Sequence, residues 1–178
     1  MLLKNIINLS DKVEGSYLDV GYGKGVLARE VFTLMHTNNI KRRNLILVDL
    51  FEGGEKGIWQ KAHDLCNEAQ NRLETKGQYK KVNLLTESLQ LDDKVAFATY
   101  DLGDESHLGL IKVYNALSES GVIIFPNYNS SIGQALSDLG IKDKIQDGVA
   151  YKYVVKGKNI NIPRLKNTNI KRTRSELT

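Results

Sequence analysis

The hydrophobic positions of the chain follow two alternating patterns. Short apolar runs occur at residues 16–20, 44–49, 81–85, 95–100 and 121–125, bounded by Gly, Asn, Asp or Lys. Such runs predict strands, and the unbroken run at 121–125 predicts one buried on both faces. Between them lie stretches with apolar residues every three or four positions, at 24–36, 58–76, 106–117 and 131–139. This is the spacing of amphipathic helices. In the longest, Ile58, Ala62, Leu65, Cys66, Ala69 and Leu73 share a face, and Gly77 stops it. Ser106 stands where an N-cap is needed. Residues 1–12 predict a short helix on the sheet edge. Lys41-Arg42-Arg43 reads as a solvent-facing basic turn before the second strand. Residues 141–145 and 149–155 predict a closing hairpin, with Asp147-Gly148 as its turn signal. Strand–helix alternation predicts an α/β fold with a doubly wound, mostly parallel sheet, to which the terminal hairpin adds an antiparallel strand.

Composition narrows the class. The chain has 178 residues, about one domain's worth. Hydrophobic residues make up 41%, enough for a core and too many for disorder. No apolar run approaches a membrane span, and the first residues lack the pattern of a secretory signal. The single cysteine, Cys66, excludes an intrachain disulfide and a cysteine-rich zinc site. These features suit a cytoplasmic protein. The net charge of +4 is uneven: seven Lys/Arg and one acid fall from Lys156 onward. Residues 1–157 therefore read as one domain and 158–178 as a basic tail.

The candidate chemistry starts at Tyr17-Leu18-Asp19-Val20-Gly21-Tyr22-Gly23-Lys24-Gly25. It reads as a strand, a glycine turn and the start of a helix. Glycines let a backbone approach a ligand closely, and the free N–H groups of a helix start face whatever sits there. The turn alone suits a dinucleotide, S-adenosylmethionine (SAM), or a purely structural role. Leu45-Ile46-Leu47-Val48-Asp49 then places an acid at a strand end one βαβ unit later, where it can accept hydrogen bonds from both hydroxyls of a ribose. Asp49 supports a nucleoside cofactor without choosing among them.

The Asp-x-Gly-x-Gly-x-Gly turn from Asp19 to Gly25 resembles the first motif of the class I SAM-dependent methyltransferases. Within that class the chain most resembles the macrocin (TylF-like) O-methyltransferases. Asp49-Leu50-Phe51-Glu52-Gly53 is similar to that group's Asp-x-Phe-Glu-Gly, and Thr86-Glu87-Ser88-Leu89 to its acid–Thr/Ser–Leu step. Asp101-Leu102-Gly103-Asp104 resembles its Asp-x-Asp. The run from Gly121 to Tyr128 resembles its Gly-Gly-x-Ile-x-Phe-Asp-Asp-Tyr. The resemblance implies SAM as cofactor, held by Asp19, Gly21, Tyr22, Gly23, Gly25, Asp49, Leu50, Phe51, Glu87, Ser88 and Asp101. It implies methylation of a small molecule, such as a sugar hydroxyl. The group also binds a divalent metal through acids after the fourth and fifth strands. Here Pro126 and Asn127 replace two of them, which weakens a hard-cation site. A divalent metal is therefore doubtful, although Asp101 and Asp104 remain, and no metal ligands are assigned.

A hydroxyl acceptor benefits from a base, and Asp101, Asp104, His107 and Asn127 fall at the right sheet edge. His107 and Asp101 are the catalytic candidates. Trp59 and Tyr22 are candidates to stack on adenine or substrate, with core packing the alternative. Competing functions are a catalytically weak SAM- or nucleoside-binding protein, a nucleic-acid methyltransferase using the basic tail, and an NAD-dependent oxidoreductase. A small-molecule acceptor is the expected partner. A homodimer, and nucleic acid reached through the tail, are compatible with the sequence; a membrane is not.

Overall fold

The computed structural model describes residues 2–50, 57–102 and 107–157. The sequence candidates in 51–56, 103–106 and 158–178, namely Phe51, Glu52, Gly53, Gly103, Asp104, the Ser106 cap and the basic tail, lie outside the described residues.

Among the described residues, seven strands form one sheet. They are β1 (Ser16–Val20), β2 (Leu45–Asp49), β3 (Gly77–Lys81), β4 (Val95–Tyr100), β5 (Leu117–Phe125), β6 (Gln146–Asp147) and β7 (Lys152–Val155). Their spatial order is β3-β2-β1-β4-β5-β7-β6. The first five run parallel, and β7 is antiparallel to both β5 and β6. The doubly wound, mostly parallel sheet with a closing antiparallel hairpin is thus the observed architecture.

Side-chain alternation along each strand splits the core in two. Tyr17, Leu45, Leu47, Phe97, Val122, Ile124 and Tyr153 face α1 (Leu3–Ile7), α2 (Val26–His36) and α3 (Ile58–Glu68). Leu18, Val20, Ile46, Val48, Ala98, Tyr100 and Ile123 face α4 (His107–Ala116) and α5 (Ser130–Asp138). Both faces of the central strands are covered, which explains their unbroken apolar runs. Each fully buried Leu, Ile or Phe contributes roughly 1.5–3 kcal/mol.

Several boundaries differ from the sequence expectation. The third strand is Gly77–Lys81, not 81–85. Residues 83–88 instead form a turn that buries Leu84 in the second core layer, and Lys112 Nζ on α4 donates to the Leu84 and Glu87 carbonyls. Gly77 does not stop the long helix but opens β3: a Cβ there would strike the Cys66 backbone on α3. The helix itself widens into a π-type turn at Ala69–Leu73 and ends at Glu74, with φ +57°. The hairpin's first strand is Gln146–Asp147, because residues Lys142–Lys144 form a 3₁₀ turn in place of a strand over 141–145. Asn129 caps α5, its side chain accepting the Ile132 N–H at 2.9 Å. The amino-terminal helix packs on the sheet face near β5, not on the edge. Of the basic triplet, Lys41 and Arg42 are exposed, but Arg43 is buried. Its guanidinium donates to the carbonyls of Ser10, Val13 and Gly15 at 2.7–2.9 Å. Burial costs the charge its hydration and lowers its pKa, and the three carbonyl acceptors offset that cost.

Candidate functional site

The parallel strands β1, β2, β4 and β5 end at one edge, where ligands of such sheets bind. The chain leaves β1 at Gly21, whose N–H donates to the Val48 carbonyl at 2.9 Å. Gly21 has φ +80°, and a Cβ on it would collide with the Asp101 backbone. Gly23 has φ +50°, yet the nearest atom to a Cβ there would be the Gly21 carbonyl oxygen at 3.8 Å. One glycine is required by the protein's own packing; the other opens onto empty space. The Gly23 N–H donates to Asp49 Oδ2 at 2.9 Å. That bond ties the glycine turn after β1 to the acid ending β2. Gly25 precedes the first residue of α2 and lies against the Tyr22 ring. Tyr22 is buried in the first core layer, and burial pushes its phenol up to about 12. It packs under the turn and also lines the cleft described below.

Asp19 lies beneath the same turn with 4% of its surface exposed. It accepts from Tyr17 Oη at 3.0 Å and from Thr99 Oγ1, and those two hydroxyl oxygens are 2.8 Å apart. The register explains the meeting: Asp19 pairs with Thr99, and Tyr17 with Phe97, on which its ring stacks at 4.6 Å. Burial raises the Asp19 carboxyl to about 6, the two hydroxyls pull it down, and Asp49 and Asp101 add to the rise.

Asp19 and the glycine turn line a cleft of about 270 Å³; Asp49 is joined to that turn through Gly23 but is not part of the lining. Its floor holds Asp19, Gly21 and Tyr22, and Gly23 stands at its rim; one wall holds Lys24, Val26, Leu27 and Glu30 of the glycine turn and α2. Asp101, Pro126 and Tyr151 close the other side. Three lining carboxylates face one lining ammonium. Tyr151, from the turn between β6 and β7, is hydrogen-bonded to Glu30 on α2; burial and that carboxylate both hold its phenol above the usual range. Asp101 accepts two bonds from Asn127 Nδ2, at 3.0 and 2.9 Å. A larger groove, of about 1110 Å³, lies at the opposite edge between residues 8–14, Lys94 and 115–120, and contains none of the sequence candidates.

The remaining candidates fall elsewhere. Leu50 is 38% exposed just beyond β2. Glu87 and Ser88 are exposed in the turn after β3, where Glu87 Oε1 accepts the Asn83 N–H at 3.0 Å. Neither lines the cleft. His107 opens α4, and its Nε2 lies 2.9 Å from Asp138 Oδ2 on α5, again outside the cleft lining. Trp59 is half-exposed and stacks on His63 at 5.7 Å, with Tyr79 against its edge. His36 stacks on Phe32. Burial pushes the Cys66 thiol up to about 12, leaving it inert at neutral pH. Among the described residues, no three His, Cys, Asp or Glu side chains gather to hold a metal ion. No described helix is long and apolar enough to cross a membrane. The sequence reading overlooked Glu30, Val26, Leu27 and Tyr151. The antiparallel hairpin was the available signal for Tyr151, because it returns its connection to the edge where β5 ends.

No family model matches the chain, and no curated protein matches its sequence. Solved structures do. CalS11, a TDP-rhamnose 3′-O-methyltransferase of calicheamicin biosynthesis, superposes with a TM-score of 0.66 at 14% identity, over 86% of this chain and 76% of its own. The O-methyltransferase NovP gives 0.60 at 15% identity, over 88% and 81%. A ribosomal protein L11 methylase from Lactobacillus delbrueckii subsp. bulgaricus gives 0.50 at 17% identity, over 84% and 75%. The chain has the fold of these methyltransferases, as its resemblance to the class implied.

Proposed function

We propose that this chain is a SAM-dependent methyltransferase acting on a hydroxyl of a small molecule, with a sugar hydroxyl as the leading acceptor. The observation that carries the reading is the Gly23–Asp49 contact. It sets a turn with room for a ligand beside a strand-end carboxylate suited to a ribose diol. The residues present fit a nucleoside sulfonium. Gly23 leaves space, Asp49 supplies acceptors, and the lining of Asp19, Glu30 and Asp101 favours positive charge.

When bound, SAM supplies an electrophilic methyl group on a positively charged sulfur. The protein's share is positioning and charge. Methyl transfer needs the nucleophile aligned behind the carbon, so walls that fix the acceptor do much of the work. Pro126 and Tyr151 face the glycine turn across the cleft and form such a wall. Asp101 is the lining carboxylate that would take the hydroxyl proton as the C–O bond forms and the methyl–sulfur bond breaks. His107, engaged with Asp138, fixes α4 to α5 and is assigned no proton-transfer role.

Calorimetric titration of the full chain with SAM and with its demethylated product tests the reading. One-to-one binding of both is expected. No binding of either at millimolar ligand would remove it. Turnover across a panel of sugar and phenolic hydroxyls then identifies the acceptor class.

A further inference from the structure

Asp101 follows the last residue of β4, and Asn127 stands two residues beyond β5. The two strands pair in parallel, Thr99 opposite Ile124, so the residues past their ends emerge side by side. There the Asn127 amide nitrogen reaches both oxygens of Asp101, at 3.0 and 2.9 Å. A single donor group astride both oxygens of one carboxylate occupies the place a chelated cation would take. Reversing the amide would set its oxygen against the carboxylate, a repulsive contact unless a cation lay between them. Hard divalent cations demand about six or more oxygen ligands, several of them anionic. Here Pro126 offers no side-chain oxygen, and Asn127 turns its nitrogen inward. The described residues do not fit the cation site of the resembled group.

We propose that Asn127 stands in for that cation. Its amide holds the Asp101 carboxylate in the cleft as a positioned, metal-free proton acceptor. Asn127 is then a positioning residue, acting through Asp101. The role in catalysis rests on the methyltransferase reading, but the amide-for-cation exchange rests on the geometry alone. The exchange also explains how an acid can stay oriented at an exposed rim. Both its oxygens accept from one amide nitrogen, and each keeps a second lone pair for the acceptor.

Reciprocal substitution tests this in the full chain, with Mn²⁺ as the probe. Binding is followed by electron paramagnetic resonance, and stability by thermal melting. The parent is expected to bind no Mn²⁺ stoichiometrically and to melt at the same temperature with or without it. Asn127→Asp sets two carboxylates against each other. It should melt about 2–4 °C lower in chelator and recover in Mn²⁺, with at least tenfold tighter metal binding than the parent. Adding Asp101→Asn to that variant restores one amide and one carboxylate, and should return the parental melting temperature in chelator. Asn127→Ala should lose stability without metal rescue. Tight Mn²⁺ binding by the parent that Asn127→Ala abolishes would overturn the proposal, because the amide oxygen would then be a ligand. So would an Asn127→Asp variant indifferent to Mn²⁺, or a double variant as unstable as the single one. None of these readouts needs turnover, so a failed SAM titration would remove the enzymatic reading without deciding this one.

Discussion

Asp19 and Asp101 line the same cleft from neighbouring strands, and their surroundings are opposite. Asp19 is 4% exposed, under the glycine turn, and is served by hydroxyls of β1 and β4. Asp101 is exposed, one residue past β4, and is served by an amide from the loop after β5. The floor of the cleft is thus fixed by the register of the sheet. Its rim is fixed by segments that begin where the register ends. A change in the floor disturbs the fold, whereas a change at the rim can alter what the cleft binds and leave the fold standing.

Valine at Gly21 and at Gly23 gives the sharpest contrast. At Gly21 the side chain meets the Asp101 backbone and the residue keeps a left-handed φ. Overpacking and backbone strain together should cost about 3–5 kcal/mol, read by denaturant unfolding. At Gly23 only the backbone strain remains, about 1–2 kcal/mol, while SAM affinity should fall at least about a hundredfold. Equal unfolding costs at the two positions would break the division between floor and rim.

Asp19→Asn probes the floor through pH. The native carboxyl, raised from 3.8 to about 6, holds a proton that the unfolded chain has released. Its contribution to stability is therefore full below 3.8 and declines as pH rises through about 6. The loss totals about 3 kcal/mol. Parent stability measured relative to the variant should fall over that window and then level off. A flat difference would mean that Asp19 is ordinary and its surroundings are wetter than the structure shows.

Asp49→Ala belongs to the rim. The loss of charged hydrogen bonds to a ribose should weaken SAM binding by about 1.5–3 kcal/mol, with little change in melting temperature. Unchanged affinity would separate the β2 acid from the site. The smallest effect is expected for His107→Gln. Its pair with Asp138 is 32% and 46% exposed, which limits the stability change to under about 1 kcal/mol. Methyl transfer should be nearly unaffected; a loss of two orders of magnitude would return His107 to the catalytic role that the sequence suggested.

The floor was largely legible in the sequence. A glycine turn after an apolar strand is a backbone requirement that leaves few residue choices, and Asp19 stands in the same motif. The edge strand β3 was not legible. Gly77-Gln78-Tyr79-Lys80-Lys81 is half-exposed and carries no apolar run. The more apolar Val82-Asn83-Leu84-Leu85 imitated a strand because Leu84 is buried by a turn. The two-residue β6 is too short to leave a period. At the rim, Asn127 was seen as a lost ligand. That its nitrogen faces Asp101 depends on two strand ends meeting, a relation across 26 residues that spacing does not reveal. Tyr151 and Glu30 are further apart still.

Arg43 has a practical consequence for anyone shortening this protein. Its three carbonyl partners lie at Ser10, Val13 and Gly15, ahead of the first strand, and the side chain itself is 4% exposed. Deleting residues 1–12 would remove α1 and one acceptor, and would uncover a guanidinium positioned to be buried. A deletion variant would need Arg43 replaced as well, by a side chain that does not require those acceptors. The segment before β1 is therefore seated in the fold as a plug. Its fit is checked by a cation 28 to 33 residues downstream, so a chain emerging from the ribosome cannot seat it until Arg43 has been made.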